Sequence, residues 1–350
     1  MEYRQLGRSG IAVSAFGLGV MTFGGQTPEE DAGRQLDLAL EAGVTLFDTA
    51  ENYPTPIDPA TQGRSERVLG GWVAARGVRD KVVIATKVAG PGNAAGDMRH
   101  IRGAGRRLDR ANLRLAVEDS LRRLGTDFID LYQLHWAERA ITTLGRSRYS
   151  LLPDEPGQVP IEETLAALSE LLDEGKIRAV GVCNESPWGV MRFLAAAERQ
   201  GLARIASIQN GYSLLDRSFE LGLAEIAVRE QVGLIAYSPL AGGTLTGKYG
   251  TDPAPIPGSR SSQSAGFLAR LSSGRQRAIL AYADLARTHG LEPAQMALAF
   301  ARQQPFTTSV LMAASSAGQL ADNLRATELR LPKELVQAIN AVHDAGPNPK

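Results

Sequence analysis

The chain has 350 residues, 43% of them hydrophobic and 22% charged, so it can bury a large core beneath an ordinary polar surface. Lysine and arginine together number 38, as do aspartate and glutamate, and this balance excludes a global field that would attract nucleic acid or an anionic membrane. The single cysteine, Cys183, excludes an internal disulfide and a cysteine-based metal cluster, and a polar N-terminus without any apolar run of membrane-spanning length predicts a cytoplasmic protein.

The chain begins with a predicted hairpin and continues with eight short apolar runs. The hairpin comprises Tyr3–Leu6, a turn at Gly7–Gly10 and Ile11–Ala15. The apolar runs are bounded by turn residues, as is typical of strands that are buried on both faces. They are Phe16–Met21, Thr45–Thr49, Val82–Val88, Ile129–His135, Ile177–Cys183, Ile205–Asn210, Val232–Ser238 and Ser309–Ala313.

Amphipathic helical patterns separate these runs. The first starts with a predicted capping box, Thr27-Pro28-Glu29-Glu30, in which the Thr27 hydroxyl would bind the helix start, and it ends at Gly43. Several others also stop at a glycine, the residue that most easily adopts the left-handed backbone of a helix end. The further predicted helices are Ser65–Arg76, Ala111–Leu124, Ile161–Glu174, Pro187–Gln200, Glu220–Gln231, Arg275–His289, Pro293–Gln303, Ala317–Thr327 and Pro332–His343.

Strands that alternate with helices predict an α/β protein whose parallel sheet closes on itself. We therefore predict a single domain over residues 1–350, a (β/α)8 TIM barrel with an N-terminal β-hairpin and an extra C-terminal helix, Pro332–His343. The alternative is an open, doubly wound sheet. Phe16–Val20 argues against that alternative, because this run lacks the third glycine of a G-x-G-x-x-G motif and no helix starts directly after it.

Three connections are too long to be simple turns, namely Gly90–Arg110, Trp136–Pro160 and Tyr249–Phe267. Each leaves the predicted C-terminal end of a strand, and barrels carry their active sites at that end. We therefore expect these connections, chiefly Trp136–Pro160, to form lids or substrate-binding loops. The alternative is that they are surface segments without a function.

Four side chains with useful chemistry fall at this same predicted end. Asp48, Lys87 and His135 end three successive strands, and Tyr53 follows Asp48 by five residues. Each has an ordinary structural explanation when taken alone, but a buried lysine needs a partner, and Asp48 lies on the adjacent strand. The combination favours a catalytic site. The histidines lack the spacing of metal ligands, so no metal is expected.

Seven segments carry a family resemblance: GLGVMTFGG (17–25), FDTAENYP (47–54), ATKV (85–88), DLYQLHW (130–136), GKIRAVGVCN (175–184), IQNGYSLLDRSFE (208–220) and AYSPLAGGTLTGKY (236–249). Through these motifs, which follow one another in the family's order, the chain resembles the aldo-keto reductases over essentially its whole length. It looks most like their bacterial Tas-type branch and their potassium-channel β-subunit branch.

The resemblance implies a catalytic tetrad of Asp48, Tyr53, Lys87 and His135, and NADPH-dependent reduction of aldehydes or ketones to alcohols by hydride transfer. Tyr53 would be the general acid, and the Lys87 cation would lower the pKa of its phenol from about 10 toward neutrality. Asp48 would hold Lys87, and His135 would orient the carbonyl oxygen. The channel β-subunit branch has asparagine at the position of His135, so a histidine there favours a working reductase.

The resemblance also implies how NADPH or NADP⁺ would bind. At the nicotinamide end, the expected contacts are Val20 and Met21 with the ribose, Asn184 and Gln209 with the carboxamide, and Tyr237 under the ring. Ser238, Leu240 and Gly242 are expected at the pyrophosphate, with Thr246 and Lys248 beyond them. Ser315, Gln319 and Asn323 are expected at the adenosine. Ala313 stands where the family usually has glycine. Many relatives grip the 2′-phosphate with an arginine where Ser315 and Ser316 stand here, which leaves Lys248 and Arg260 as the candidate cations.

Two other functions remain open at this point. One is a non-catalytic, NADPH-binding regulatory subunit of the same fold. The other is a Schiff-base aldolase that uses Lys87 as its nucleophile. The expected partner of the reductase is a small carbonyl compound, without nucleic acid or membrane, and a homo-oligomer is possible because relatives include monomers and ring-like assemblies.

Overall fold

The computed structural model of the chain describes residues 1–91, 98–103, 106–141, 156–250, 254–263 and 266–349. Its first two strands, β1 (Tyr3–Gln5) and β2 (Ala12–Ser14), form an antiparallel hairpin. Eight more strands pair in parallel in chain order, and the last pairs with the first, so the sheet closes into a barrel. These strands are β3 (Phe16–Gly19), β4 (Leu46–Asp48), β5 (Val83–Val88), β6 (Leu131–Leu134), β7 (Val180–Cys183), β8 (Ile205–Gly211), β9 (Gly233–Tyr237) and β10 (Thr307–Met312). The predicted (β/α)8 barrel with its N-terminal hairpin is confirmed.

Helices surround the barrel. They are α1 (Glu29–Glu41), α2 (Arg64–Arg76), α3 (Arg110–Leu124), α4 (Ile161–Asp173), α5 (Pro187–Gln200), α6 (Leu223–Arg229), α7 (Arg260–Gln263), α8 (Ser273–Thr288), α9 (Pro293–Gln303), α10 (Ala317–Leu324) and α11 (Lys333–Asp344). In the part of the chain that the structure describes, no helix is long and apolar enough to cross a membrane.

Three of these helices stand outside the strand–helix alternation, and the first of them is the four-residue α7. The predicted extra C-terminal helix is α11, which buries Leu335 and Ile339 and packs against α8. Helix α9 follows α8 and packs on β10, so α9 is the regular barrel helix and α8 is the second extra one. Helix α8 also packs against the turn that follows β9, Ala241–Thr246.

The hairpin closes the N-terminal end of the barrel. Its side chains Leu6, Ile11 and Val13 are buried in one apolar cluster with residues of the barrel strands and their edges. The residues that they meet are Leu46, Val83, Ala85, Leu131, Ala179, Ala206, Ile235 and Leu311. The bottom of the barrel is therefore a packed apolar plug.

Side chains alternate across each strand, and this alternation decides what lies above the plug. In β5, Ala85 belongs to the inner cluster, whereas Ile84 belongs to the core between barrel and helices. Lys87 is two residues beyond Ala85 and shares its inward row, just as Asp48 is two residues beyond Leu46. The interior therefore changes from apolar to charged toward the C-terminal ends of the strands.

Two local predictions are wrong. The predicted capping box does not form, because residues 22–27 fold into a tight turn in which the Thr27 hydroxyl pairs with that of Thr22 at 2.8 Å, and α1 begins at Glu29 without a side-chain cap. The predicted helix Glu220–Gln231 is interrupted at Gly222, whose φ of 175° is extended. A short 3-10 helix, Ser218–Leu221, precedes that break and α6 follows it.

The hairpin turn carries one glycine that the fold requires. Gly7 has a φ of +55°, and a Cβ built on it would lie 2.4 Å from the backbone oxygen of Ala206 in β8. Gly10, in the same turn, has a φ of +76° but open space around its Cβ position. Gly7 and Gly10 share a left-handed backbone, but only Gly7 has a neighbour at its Cβ position. Replacing each by alanine therefore distinguishes backbone strain from steric overlap.

We expect Gly10→Ala to lower the free energy of unfolding by about 1 kcal/mol, the cost of a left-handed alanine. Gly7→Ala adds the overlap with Ala206, which raises the loss to about 2–4 kcal/mol. Urea unfolding followed by circular dichroism measures both. Equal losses in the two variants would show that the hairpin is not seated tightly on the barrel.

Candidate active site

The parallel barrel brings the four predicted catalytic side chains to one end. Asp48 is the last residue of β4, Lys87 lies near the end of β5, His135 follows β6 directly, and Tyr53 lies in the loop after β4. The rings of Tyr53 and His135 meet edge to face with centroids 5.6 Å apart. The Lys87 Nζ lies 5.1 Å from the centre of the Tyr53 ring.

A buried ion pair forms the floor of this site. Lys87 Nζ lies 2.5 Å from Asp48 Oδ2 and also donates to the Thr49 carbonyl at 2.7 Å. The Lys87 side chain is 0% exposed. Burial is the largest single effect and lowers the pKa of Lys87, but the neighbouring groups, led by the Asp48 carboxylate, together outweigh it and raise that pKa. Lys87 is therefore cationic at neutral pH.

The second oxygen of Asp48 is also occupied. Asp48 Oδ1 accepts hydrogen bonds from the amide groups of Gln133, at 3.0 Å, and Gln209, at 2.8 Å. Gln209 Nε2 in turn lies 3.1 Å from Gln133 Oε1, so both amides are held in place. This network satisfies a carboxylate that is almost completely removed from water, which is the condition for burying it.

Tyr53 keeps part of its surface open at the barrel mouth. Burial of the phenol raises the pKa of Tyr53 to about 12, while the Lys87 charge acts in the opposite direction. The expectation that Lys87 brings this pKa toward neutrality is right about the direction of the Lys87 effect and wrong about the net shift, because burial is larger. Tyr53 therefore holds its proton at neutral pH.

His135 is a neutral imidazole. Burial, together with the Lys87 charge, lowers its pKa well below the ordinary range. The Trp136 ring stacks on it at 4.0 Å, and His135 Nδ1 lies 3.1 Å from Asn52 Oδ1. Within the described ranges, no group of three or more His, Cys, Asp or Glu side chains is placed to bind a metal ion.

The residues expected at the nicotinamide continue from the tetrad. Asn184 Nδ2 donates to the His135 carbonyl at 3.0 Å, and the Tyr237 hydroxyl donates to Asn184 Oδ1 at 2.6 Å. Asn184 and Ser238 follow β7 and β9 with φ values of 55° and 53°. Non-glycine residues keep this left-handed conformation only where the surrounding structure imposes it, and such positions cluster at functional sites.

The first barrel strand adds its own residues to this side. Val20 directly follows β3, is fully buried, and donates its backbone N–H to the Asp48 carbonyl at 2.9 Å. Met21 follows it and is partly exposed. This hydrogen bond joins the end of β3, which is expected to contact the ribose, to the end of β4, which carries Asp48.

The turn after β9 lies beside two cationic side chains, Lys248 and Arg260. Gly242 and Gly243 have φ values of 72° and 90°, and the Thr246 hydroxyl closes the turn on the Gly243 carbonyl at 2.8 Å. A Cβ built on Gly242 would lie 3.7 Å from Arg260 Cδ, and one on Gly243 would lie 3.5 Å from Lys248 Nζ. Leu240 starts the turn and is half-buried. Both predicted phosphate-binding cations therefore lie beside the glycines.

The predicted adenosine residues lie at the start of α10. The Ser315 backbone N–H and hydroxyl both donate to Gln319 Oε1, at 2.8 and 3.1 Å. Asn323 is 4% exposed, and its Nδ2 has no hydrogen-bond partner among the residues described. A buried donor without a partner costs free energy, so this amide is suited to a ligand acceptor.

Sequence reasoning missed three residues that shape the site. Gln133 could have been found, because it shares the inward row of β6 and pairs in register with Lys87. Asn52 and Glu51 lie in a loop, where no periodicity marks an inward side chain. Glu51 is buried, accepts from the Ala89 N–H, and forms an ion pair with Arg102, which ties the connection after β5 to the loop that carries Tyr53.

The stems of two long connections meet at Glu138. Its carboxylate accepts from the backbone N–H groups of Leu108, at 2.9 Å, and Val159, at 3.3 Å, and it pairs with Arg107. The predicted lids fall partly on residues 92–97, 104–105, 142–155, 251–253 and 264–265, which lie outside the described residues. Their role in substrate choice stays a prediction.

A cavity of about 250 Å³ lies beside the tetrad, between the ends of β6 and β7 and helices α4 and α5. Trp136, Arg139, Val159, Cys183 and Trp188 are among the residues that line it. None of the tetrad residues does so. Trp136 lines this cavity and stacks on His135, so the cavity adjoins the candidate active site.

The chain matches the model of the Aldo/keto reductase family over residues 15–344. It is 47% identical over 345 residues to "Protein tas" of Escherichia coli (strain K12), with 98% of each chain covered. It is 32% identical over 347 residues to "Uncharacterized oxidoreductase YrpG" of Bacillus subtilis (strain 168), covering 98% of this chain and 96% of the relative. It is 35% identical over 276 residues to "Aldo-keto reductase" of Babesia bovis, covering 75% of this chain and 96% of the relative. The chain therefore belongs to the aldo/keto reductase family of oxidoreductases, which generally use nicotinamide cofactors.

Proposed function

We propose that this protein is an NADPH-dependent reductase that converts aldehydes or ketones to alcohols, with Tyr53 as the general acid. The observation that carries the proposal is the buried Lys87–Asp48 pair beside a phenol that keeps its proton. The proposed substrate is a small carbonyl compound. A cytoplasmic location and a possible homo-oligomer remain predictions from composition and resemblance.

Three features support binding of a nicotinamide dinucleotide. The Tyr237 ring packs against Gly211, where an added Cβ would approach it to 3.3 Å, which fixes the ring for stacking. Gly242 has a left-handed backbone, and a Cβ there would lie 3.0 Å from Phe267, so the turn leaves room only for backbone beside a pyrophosphate. Asn323 offers a buried amide donor without a partner. When bound, the reduced nicotinamide supplies a hydride to the carbonyl carbon.

The chain's own residues supply the proton and the electrostatics. As the carbonyl carbon gains a hydride, electrons move to the oxygen, and the Tyr53 phenol donates its proton to form the alcohol. The phenolate that remains lies beside the Lys87 cation, which lowers the free energy of the product state. Asp48 keeps Lys87 in position, and solvent returns a proton to Tyr53 at the open mouth.

His135 aids this step without changing its charge. Its pKa lies well below the ordinary range, so the ring is neutral, and in the tautomer with its proton on Nε2 it orients the carbonyl oxygen through a hydrogen bond. Stacking on Trp136 fixes the plane of the ring. An oxygen bound between Tyr53 and His135 would therefore have a proton donor on each side.

The two alternative functions have less support. An aldolase needs a neutral Lys87 amine that can reach a carbonyl carbon, but Lys87 is fully buried, has a raised pKa, and is held by Asp48 and Thr49. A purely regulatory subunit needs no proton donor, whereas the tetrad here is complete and converges on one point. Steady turnover of a simple aldehyde distinguishes the reductase from the regulatory subunit.

NADPH is the proposed cofactor because Arg260 and Lys248 lie beside the glycine turn. A 2′-phosphate is a strong acceptor that binds cations through charge-assisted hydrogen bonds. Arg260 is exposed, and its Cδ lies close to the Cβ position of Gly242, so its guanidinium is able to reach a ligand on that turn. Ser315 adds a hydroxyl near the start of α10.

Tyr53→Phe removes the proton donor and leaves the ring in place. We expect turnover with NADPH and an aromatic aldehyde to fall by roughly 10²–10⁴-fold or more, while NADPH affinity, measured by fluorescence titration, stays unchanged. Tyr3→Phe is the control, since it removes the hydroxyl of an exposed tyrosine far along the chain from the tetrad. A Tyr53→Phe enzyme within tenfold of wild type would remove Tyr53 from the mechanism.

Lys87→Met leaves the Asp48 carboxylate buried without its counter-charge. We expect the free energy of unfolding to fall by about 3–5 kcal/mol, as for other broken buried pairs. Adding Asp48→Asn restores part of the loss, because a neutral amide needs no counter-charge. Urea unfolding compares the variants, and both should be inactive. Equal destabilisation of the single and double variants would contradict the view that the lost charge pairing causes the effect.

Arg260→Ala tests the preference for NADPH. A hydrogen bond to a charged group contributes roughly 1.5–3 kcal/mol, so NADPH affinity should weaken by about tenfold to a hundredfold. NADH lacks the 2′-phosphate, and its affinity should hold. Arg122→Ala is the matched control, because Arg122 is an exposed arginine of α3 that pairs with Asp119. Equal losses for both cofactors, or no loss for either, would rule out the phosphate contact.

A further inference from the structure

His135 is hydrogen-bonded through only one of its two ring nitrogens. Nδ1 lies 3.1 Å from Asn52 Oδ1, and across the residues that the structure describes no hydrogen bond reaches Nε2. The ring is held between the Trp136 indole, stacked at 4.0 Å, and the Tyr53 ring, which meets it edge to face at 5.6 Å. Nε2 is therefore the nitrogen that is left for a substrate oxygen.

The amide of Asn52 controls what that nitrogen can do. Asn52 is 2% exposed and directly precedes Tyr53 in the loop after β4. A neutral imidazole carries a proton on one nitrogen and a lone pair on the other. When Asn52 Oδ1 faces the ring, Nδ1 donates to it and Nε2 can only accept. When the amide is turned over, Nδ2 donates to Nδ1, and Nε2 carries the proton that a carbonyl oxygen requires.

We propose that Asn52 is a positioning residue that sets the tautomer of His135, and that its amide turns over to make Nε2 a donor when a carbonyl binds. The consequence for turnover rests on the proposed reductase function. The physical basis does not, because the contact between Asn52 and His135 exists in the free protein. Asparagine suits this task because its two ends have nearly the same shape and opposite hydrogen-bonding character.

The surroundings of His135 support a tautomer change over a change in charge. Burial and the nearby Lys87 cation both keep the ring neutral. Other titratable groups on the elements around the ring include Asp48 at the end of β4, Tyr53 after it, Cys183 at the end of β7 and Tyr237 at the end of β9. The charged side chains Glu51, Glu138, Arg139 and Glu185 lie on the adjoining loops, where Glu51 pairs with Arg102, Glu138 with Arg107 and Arg139 with Glu185. Burial raises the pKa of the Tyr53, Cys183 and Tyr237 side chains, and the pKa of Lys87 is raised too, so none of these four titrates near neutrality.

Asn52→Asp is the central test, because it keeps the shape of the side chain but can only accept. The carboxylate favours a proton on Nδ1 and raises the pKa of His135. At neutral pH, Nε2 then lacks a proton, and we expect kcat/KM for carbonyl reduction to fall at least tenfold, since a donor aimed at a developing oxyanion is worth roughly 10²–10³-fold. As the pH falls through the new pKa of His135, the imidazolium regains its Nε2 proton and activity recovers. This acid recovery is expected to vanish when His135→Asn is added.

Asn52→Leu separates this role from a structural one. If Asn52 only filled space, the isosteric Asn52→Asp would be the milder variant and Asn52→Leu the more damaging one. Under the proposal the order is reversed at neutral pH, because leucine cannot force a proton onto Nδ1 and leaves Nε2 able to donate. Asn52→Asp more active than Asn52→Leu, with a pH profile like that of wild type, would overturn the inference.

Nuclear magnetic resonance of nitrogen-15 histidine reads the tautomer without substrate or cofactor. The chain has four histidines, and the signals of His135 are identified by their loss in His135→Asn. Without ligand, we expect the ring proton on Nδ1 in wild type and in Asn52→Asp, and a higher ring pKa in Asn52→Asp. A wild-type proton on Nε2, or a ring pKa that Asn52→Asp leaves unchanged, would overturn the proposal. If the wild-type protein reduced no carbonyl but His135 showed the expected tautomer and pKa shift, the proposed function would be wrong and the role of Asn52 would stand.

Discussion

The buried charge of Lys87 is the constraint on which the rest of the site depends. An ammonium that is completely removed from water needs a counter-charge and hydrogen-bond acceptors. Here Asp48 supplies the charge and one acceptor, and the Thr49 carbonyl supplies a second acceptor. The inward rows of β4 and β5 bring the two side chains together above the apolar plug. A position one residue earlier or later on either strand would place the charge among the surrounding helices.

The hydrogen-bond network around this pair links the two halves of the site. Asp48 accepts from the amides of Gln133 on β6 and Gln209 on β8, the strand opposite β4 in the barrel. A second series of hydrogen bonds runs from His135 through Asn184 to Tyr237. A fully satisfied polar network is rigid, because any shift of one member leaves a buried group unpaired. The proton donor and the surface proposed for the nicotinamide are thus held in one frame.

The barrel could be predicted from sequence because it follows from periodicity, whereas Tyr53 and the catalytic roles of the tetrad came from the family resemblance. Strand ends in a parallel barrel converge, so Asp48, Lys87 and His135 were placed by strand boundaries alone. Asn52 and Glu51 could not be found in this way, because a loop has no repeat that marks its inward side chains. Thr27 was misassigned because a tight turn competed for its hydroxyl, and the net pKa shift of Tyr53 depends on burial, which local sequence does not reveal.

The contacts of Glu138 determine how strongly a change in the length of the segment after β6 affects the stability of the fold. Glu138 lies just after β6 and accepts a hydrogen bond from the backbone N–H of Val159, just before α4. The two ends of this segment are therefore held at a fixed separation by the folded barrel. The entropy of closing a loop between fixed ends grows only with the logarithm of its length, by about 0.6 kcal/mol for each doubling. Insertions and deletions between the stems are therefore cheap in stability. The barrel can keep the buried Lys87–Asp48 pair while the length of this segment changes.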